Sequence, residues 1–269
     1  MMSALLDDNS IVLTDLQHEV IEQLRELMKN DYRHIRFQQD VNFLTKFLYA
    51  NDWNAEEALN KIVNSYRLKK DFPEWFATKK VSEYLPIIQM HSRYMLADRD
   101  RNGKRIFVYK GDKMNTPRMN LRMSAQLDDM WYDAMLMDTS TQCNGLTVIA
   151  DAKNTPKSII KWLKPSDVRV SSERANVFPC KNLEVHVVNI SPLVNIAIKV
   201  IMPLLNDRVK SKLHFHQNDW TMLHKFIDKD CLPEEFGGPP GSKVDYEKSY
   251  KFLLDKESSL EESMQHGII

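Results

Sequence analysis

Two histidines separated by one residue are the strongest candidates for metal chemistry in the sequence. His214 and His216 flank Phe215 in a segment typical of a β-strand, where alternation places both imidazoles on one face. His186 or His224 could supply a third ligand to a metal ion such as zinc. The competing interpretation is a strand end near the surface, and no carboxylate or cysteine stands at a supporting spacing. We therefore expect no metal site.

The chain lacks the local motifs of a nucleophilic enzyme. No GxSxG turn is present, and a serine hydrolase of the α/β class needs one to expose its serine. The three cysteines, Cys143, Cys180 and Cys231, lie far apart and form no CxxC pair. An odd number of scattered cysteines indicates a reducing compartment rather than a disulfide framework.

Three acidic residues, Asp128, Asp129 and Asp133, are the nearest approach to a carboxylate cluster. They fall on the polar side of a predicted amphipathic helix, so we interpret them as a solvated face. With no other candidate acid, base or nucleophile in a supporting pattern, we expect no catalytic residues and no enzyme.

The composition excludes several common binding functions. The 7 glycines among 269 residues form neither a dinucleotide fingerprint nor a P-loop, so no cofactor is expected. The 37 basic residues balance the 37 acidic residues, which argues against a protein that holds nucleic acid by bulk charge. The 14 methionines favour a cavity that adapts to an apolar ligand, because the Met side chain is flexible and polarisable.

Helical periodicity dominates the first part of the chain. It predicts helices over residues 14–29, with Thr14 as the N-cap, and over residues 39–50. A third helix is expected after the cap residue Asn54. Residues 10–76 therefore form a predicted N-terminal helical bundle.

Strands and helices alternate after Pro86. Asn102-Gly103 predicts a hairpin between strands at 94–97 and 105–109. We expect further strands at 146–151, 183–189 and 213–216, and helices at 120–138, 156–163 and 193–205. This order is typical of an α/β sheet layered by helices. It defines a predicted domain over residues 80–245, followed by a charged C-terminal helix or tail over residues 246–269.

The N-terminal MMSALLDDNS has no basic region and no apolar run, so it is not expected to be a signal peptide. The most apolar stretch, 185–205, carries too many polar residues and prolines to span a membrane. A cytoplasmic location is expected.

Three elements present apolar faces that could be packed core or the walls of a cavity, and periodicity does not distinguish these alternatives. They comprise Met123, Leu127, Met130, Trp131 and Ala134 of the 120–138 helix, Leu146, Val148 and Ala150 of a strand, and Leu193, Ala197, Val200, Ile201 and Leu204 of the 193–205 helix. Directly after that helix come Arg208, Lys210 and Lys212, which form either a solvated helix end or a patch that binds anionic headgroups.

The ordered set of features resembles the CRAL-TRIO family of lipid-binding proteins. The matching segments are FLTKFLYANDWNAEEALNKI at 43–62, NGLTVIAD at 144–151, FPCKNLEVHVVN at 178–189, IKVIMPLLNDRVKSKLHFH at 198–216 and LPEEFGG at 232–238. Together they extend over residues 40–240.

The resemblance implies an α/β fold in which an N-terminal helical bundle precedes a mixed β-sheet. That sheet would floor a hydrophobic pocket closed by a mobile lid, the 193–205 helix. The pocket would be lined by the apolar faces above, together with Val185 and Val187. The implied function is binding of a small hydrophobic molecule and its exchange with membranes, through peripheral and transient association.

The resemblance also implies an anionic-headgroup site at Lys181, Arg208 and Lys212, beside Lys210. Tyr49 and Asn51 stand where related sequences usually carry arginines, which weakens recognition of phosphoinositides. Cys180 replaces the glutamate of the phosphatidylinositol-binding members. These departures favour a retinoid, tocopherol, carotenoid or similar isoprenoid-like ligand. The alternative is a phosphoinositide-reading membrane adaptor or a phospholipid-transfer protein.

Overall fold

The computed structural model describes residues 13–30, 32–216 and 220–269, so the expectation about a signal peptide concerns residues outside the described part. The chain begins with α1 (Asp15–Asn30), the short strand β1 (Ile35–Arg36), α2 (Val41–Ala50), α3 (Ala55–Asp71) and α4 (Val81–Ile88).

The predicted caps of the first and third helices are confirmed. Thr14 Oγ1 accepts a hydrogen bond from the amide of Gln17 at 3.3 Å, and the Gln17 side chain returns to the Thr14 amide at 3.0 Å. Asn54 Oδ1 accepts from the amide of Glu57 at 3.0 Å. The second helix begins two residues later than predicted, because Asp40 caps it through the amide of Phe43.

Five strands form the central sheet, in the order β2-β3-β4-β5-β6. Strands β2 and β3 are antiparallel, and every later pair is parallel. Their bounds are β2 (Arg93–Arg99), β3 (Arg105–Lys110), β4 (Leu146–Asp151), β5 (Leu183–Val188) and β6 (Leu213–Phe215).

The predicted hairpin between β2 and β3 is confirmed, but its loop is longer than a two-residue turn. Residues 100–104 form the loop, and Asp100 Oδ1 accepts from the amides of Asn102 at 2.8 Å and Lys104 at 2.9 Å. Gly103 has φ +75°, a conformation that glycine adopts without strain.

Helices surround the sheet: α5 (Leu121–Leu136), α6 (Thr139–Asn144), α7 (Pro165–Val177), α8 (Pro192–Ile201), α9 (Asp207–Lys210) and α10 (Trp220–Leu223). The helix predicted over 156–163 is a 3₁₀ segment, Lys157–Trp162, and α7 was not predicted. The predicted 193–205 helix ends early. Its last turn, Met202–Leu204, is 3₁₀, because Pro203 has no amide hydrogen to continue the α-helix.

The single helix predicted over 246–262 is instead two helices, α11 (Tyr246–Leu254) and α12 (Glu257–Met264), followed by β7 (Gly267–Ile268). Tyr250, Leu253 and Leu260 are buried in the same core as the α5 side of the sheet. Strand β7 pairs with β1 of the N-terminal bundle. This segment therefore packs on the sheet and also contacts the bundle, while the predicted boundaries near residues 76–80 and 245 remain predictions.

Candidate ligand-binding site

One face of the central sheet carries the alternating apolar residues on which the sequence prediction rests. Two groups of residues on this face differ in how they are covered. The closed half consists of Phe107, Leu146 and Val148. The open half consists of Ala150, Val185, Val187 and Phe215. Register links the two, since Val148 pairs with Val185 and Ala150 pairs with Val187.

Helix α5 covers the closed half. Its residues Leu127, Met130, Trp131 and Ala134 are buried in one cluster with Leu146 and Val148, and Trp131 is 0% exposed. The rings of Trp131 and Phe107 lie 5.8 Å apart. These six residues from the predicted pocket set therefore form packed core in this structure, and any role in ligand contact remains a prediction.

The open half has no comparable cover. Ala150, Val185 and Val187 are only half-buried, and Phe215 on the edge strand is 41% exposed. Met123, near the start of α5, is likewise half-buried and packs against the edge of the core. The carboxyl ends of β4 and β5 thus present apolar surface that is not sealed.

Helix α8, the predicted lid, has no buried residue. Ile196 is 60% exposed and Val200 is 53% exposed, and Leu204 in the following 3₁₀ turn is also exposed. The other predicted lid residues, Leu193, Ala197 and Ile201, are half-buried. An apolar helix of this kind that is not packed into a core is unusual, because burial of an aliphatic side chain is favourable by about 1.5–3 kcal/mol.

Asparagine side chains hold both ends of the α8 segment. Before the helix, Asn189 has φ +53° and donates from Nδ2 to Asp151 Oδ1 at 2.8 Å. After it, Asn206 donates from Nδ2 to Asn176 Oδ1 at 3.0 Å and to Ser172 Oγ at 3.2 Å, both on α7. The segment therefore runs from the carboxyl edge of the sheet to α7. It is fixed at both ends, and between them one side is half-buried and the other is exposed.

The anchor at Asp151 belongs to a buried ionic network. Lys110 Nζ lies 2.9 Å from Asp151 Oδ2 and 2.5 Å from Glu235 Oε2, and both Lys110 and Asp151 are nearly inaccessible to solvent. Burial lowers the pKa of Lys110, but the two carboxylates outweigh burial and leave the pKa above its usual value. Lys110 therefore stays charged, and the carboxylate that receives Asn189 keeps its position.

The predicted anionic-headgroup residues divide into paired and unpaired cations. Lys181 Nζ lies 3.0 Å from Asp52 Oδ1, and Lys210 Nζ lies 3.2 Å from Asp207 Oδ1. Within the described residues, neither Arg208 nor Lys212 has a carboxylate within 4.0 Å. Burial and the charge of Arg208 lower the pKa of Lys212, although Cys180 opposes this shift.

A fifth cation, Lys61 of α3, was missed by the sequence prediction. Its side chain is 8% exposed, and its Nζ has no hydrogen-bond partner. Burial, followed by the charges of Arg208 and Lys212, lowers the pKa of Lys61 to about 8. Glu57, one turn earlier on α3, opposes this shift but does not cancel it. Helical periodicity could not reveal it, because the two neighbouring cations lie about 150 residues away in sequence.

The interpretation of the α5 carboxylates as a solvated face was wrong. Asp128 pairs with the buried Arg93 of β2 at 2.5 Å, Asp129 pairs with Arg174 of α7 at 2.6 Å, and Asp133 pairs with Lys46 of α2 at 3.0 Å. Burial raises the pKa of Asp129 to about 7 despite the opposing charge of Arg174. The polar side of α5 is therefore an ion-paired interface with three other elements.

Two cavities lie away from the open half. One of about 170 Å³ lies where α2, α5, α7 and α12 meet, and Met130 is the predicted pocket residue on its wall. A neighbouring cavity of about 370 Å³ shares Lys46 and Asp133 with it. The wall of the first cavity combines the ion pairs Lys46–Asp133 and Asp129–Arg174 with apolar side chains that include Phe43, Phe178 and Met264.

The structure separates the four candidate histidines into two places. His186, His214 and His216 stack on the sheet face opposite the closed half, whereas His224 instead contacts the carbonyl oxygen of Phe236 at 3.1 Å. Among residues 13–30, 32–216 and 220–269, no group of three His, Cys, Asp or Glu side chains is placed to hold a metal ion. Over the same residues, no helix has the length and apolar character needed to cross a bilayer.

Comparisons with known proteins agree with this architecture. The chain is 22% identical over 222 residues to alpha-tocopherol transfer protein-like from Mus musculus, which covers 82% of this chain and 65% of that protein. It is 26% identical over 233 residues to clavesin-1 from Xenopus laevis, covering 84% of this chain and 70% of that protein. The chain thus spans less than two thirds of the length of the tocopherol-related protein.

The crystal structure of Sfh5 superposes with a TM-score of 0.56 at 12% identity, covering 91% of this chain and 98% of that one. This likeness confirms the predicted α/β fold with its mixed sheet. The sequence pattern of the CRAL/TRIO domain matches residues 89–238, more than half of the chain. The members of that family bind and transfer lipids and are not enzymes. The chain belongs to the CRAL/TRIO domain family.

Proposed function

We propose that this protein carries one small hydrophobic molecule, which sits between the open half of the sheet and α8, and exchanges it with membranes. The observation that supports this most directly is the apolar helix α8, which is tethered at Asn189 and Asn206 yet has no buried residue. Such a helix can close over a ligand without breaking its end contacts.

Closure is favourable because it removes apolar surface from water. Ile196, Val200 and Leu204 are the exposed members, and burying the part of each side chain that is still exposed would contribute about 1 kcal/mol each. A ligand that fills the space between α8 and the open half would bury Ala150 and Val187 as well. The binding therefore needs no catalytic group and no cofactor.

The ligand we favour is a retinoid, tocopherol, carotenoid or similar isoprenoid-like lipid. The name of the tocopherol-related relative supports this class. The position of Cys180 supports it too, because burial raises the pKa of its thiol to about 11 and leaves an uncharged group where phosphatidylinositol binders carry a glutamate.

We further propose that Lys181, Arg208, Lys210 and Lys212 meet an anionic membrane surface, with Lys61 as an additional contact. Each basic residue near an anionic leaflet contributes about 1 kcal/mol. The unpartnered amine of Lys61 favours an anion at this position over a merely solvated helix end. A cytoplasmic protein with peripheral, transient membrane association follows from this arrangement. A phosphoinositide-reading adaptor or a phospholipid-transfer protein is the alternative.

Native mass spectrometry of the purified protein tests the carrier proposal. We expect one adduct of a few hundred daltons, or uptake of one molecule of added α-tocopherol or retinal. A phospholipid adduct would instead support the phospholipid-transfer alternative. Absence of any adduct, with no uptake from either probe, would contradict carriage.

A liposome assay tests the membrane proposal. Transfer of bound ligand to vesicles of phosphatidylcholine with phosphatidylserine should exceed transfer to phosphatidylcholine alone, and salt should remove the difference. Arg208→Ala with Lys212→Ala should slow transfer about tenfold or more, while the affinity for ligand in solution stays unchanged. Lys225→Ala with Lys229→Ala is the matched control. Wild-type transfer by the first double variant would show that the basic cluster is only a solvated helix end.

The headgroup role of Lys61 has a pH signature. Anion binding should weaken as the pH rises through about 8, because the Lys61 amine then loses its proton. Lys61→Arg should keep binding through this range, and Lys61→Met should remove the pH step. An identical pH profile in all three proteins would exclude Lys61 from the site.

A further inference from the structure

Three stacked histidines lie at the edge of the central sheet, next to the open half but on its other face. His186 of β5 pairs with His214 of the edge strand β6, and their rings lie 4.9 Å apart. His216 follows β6, and its Nε2 lies 2.9 Å from His186 Nδ1. The Phe226 ring lies 4.7 Å from that of His186 and contacts the other two.

The central ring of this cluster is sealed from water. His186 is 0% exposed and His216 is nearly as buried. His186 Nε2 has no hydrogen-bond partner, and Glu184 Oε2 lies 3.8 Å away, too far for a hydrogen bond. The Nδ1–Nε2 contact needs one nitrogen to donate and the other to accept, so full protonation of both rings would place two N–H groups against each other.

We propose that this cluster is a pH-sensitive latch that holds β6 against β5, and that its protonation frees the edge strand and opens the ligand site. The ligand part of this statement rests on the carrier function proposed above. The latch itself is a property of the ligand-free protein.

The charged groups around His186 favour its neutral form overall. Burial, then His214 and His216, lower the pKa of His186 to about 4, although Glu184 opposes them. Lys104, which pairs with Glu184 at 2.8 Å, keeps that carboxylate ionised and also disfavours a charged His186.

Two further acidic side chains on the same sheet face bind partners other than His186. Asp100 accepts from the Thr147 hydroxyl at 2.7 Å, and Asp151 pairs with Lys110. The Phe226 side of the cluster contributes an aromatic ring rather than a counter-charge.

Strand β6 connects this latch to the ligand site. Leu213 and Phe215 point to the opposite face from His214 and pair with Val185 and Val187, two members of the open half. Two backbone hydrogen bonds flank this short pairing, from the Val185 amide to the Lys212 carbonyl and from the His216 amide to the Val187 carbonyl, each 2.8 Å. Release of β6 therefore removes Leu213 and Phe215 from the open half, while Asn206 keeps the α8 segment tied to α7.

The sign of the pH effect follows from the lowered pKa. His186 is neutral when β6 is paired and titrates near its ordinary value of about 6.5 when β6 is released. The paired state is therefore fully favoured above pH 6.5 and is progressively lost as the pH falls toward 4. At about pH 5 the released population should be roughly 30-fold larger than at about pH 8.

Hydrogen exchange of the ligand-free protein tests the latch. After correction for the intrinsic exchange rate, the β6 peptide should open about 30-fold more at about pH 5 than at about pH 8. His186→Gln, which cannot titrate, should abolish the difference. His18→Gln, at an exposed histidine of α1, should leave it intact. Equal opening at both pH values in the wild type, or an unchanged difference in His186→Gln, would overturn the proposal.

A second variant and a second measurement keep the test decisive. If His186→Gln is poorly folded at pH 8 by circular dichroism, His216→Gln removes the other half of the paired rings and should reduce the pH difference.

Release of bound α-tocopherol to phosphatidylcholine vesicles should then follow the same pH profile. A pH-dependent β6 with pH-independent release would overturn the coupling to the ligand, whereas failure to load ligand at any pH would count against the carrier function alone.

Discussion

The two halves of one sheet face share a sequence pattern but not a structural role. Val148 and Val185 pair across neighbouring strands, and so do Ala150 and Val187. The closed half lies beneath α5, where Trp131 fills the layer. The side chains of the open half are less buried, and helix α8, the proposed lid, has no fully buried residue. Apolar alternation therefore identifies which face of a sheet is covered, whereas the element packed above that face decides whether the cover is permanent.

The largest difference should appear in the free energy of unfolding when one side chain is truncated in the closed half and one in the α8 segment. Trp131→Ala removes a fully buried ring from the closed half and should lower the free energy of unfolding by about 3–5 kcal/mol. Leu204→Ala, at an exposed lid residue, should change it by less than about 0.5 kcal/mol. Urea unfolding followed by circular dichroism measures both. Similar losses in the two variants would mean that the lid is packed in solution.

The ion pairs on the polar side of α5 should make the next largest contribution to the free energy of unfolding. Asp128→Asn leaves Arg93 as a buried, unpaired cation and should lower the free energy of unfolding by about 3 kcal/mol. Asp133→Asn, on the same helix but with a more exposed carboxylate, should lose about 1 kcal/mol or less. Equally small losses of unfolding free energy in the two variants would instead mean that this face of α5 is solvated.

A carboxylate placed on α8, the proposed lid, should separate ligand loading from folding. Ile201→Asp should reduce affinity for α-tocopherol or retinal by roughly tenfold to a hundredfold, because the closed lid would bury an unpaired charge. Its unfolding free energy should stay close to that of the wild type, since Ile201 is only half-buried. Asn195→Asp adds the same charge on the exposed polar side of α8 and should bind normally. Unchanged affinity in Ile201→Asp would remove α8 from the ligand site.

Local signals in the sequence were sufficient for much of the fold. The caps at Thr14 and Asn54 and the alternation in β4 are properties of a few adjacent residues, and all are confirmed. Helix α7 was missed because its apolar residues form no continuous stripe. Its start could have been found from Pro165, which is favoured in the first turn of a helix.

The functional geometry depends on partners distant in sequence. Asp128 looked solvated because Arg93 lies on a different element, and Lys61 went unnoticed because its cationic neighbours, Arg208 and Lys212, follow the lid. Periodicity also assigned the apolar face of α8 without revealing that this face stays unburied. Such features arise when elements meet, so they become visible only in three dimensions.

Hydrogen exchange with and without bound α-tocopherol locates the ligand and so tests whether it lies between α8 and the open half. We predict slower exchange in α8 and at the carboxyl ends of β4 and β5, with little change in α5, which is already protected by its packing. Protection confined to α2 and α12, which border the ion-paired cavities, would place the ligand elsewhere and contradict this account.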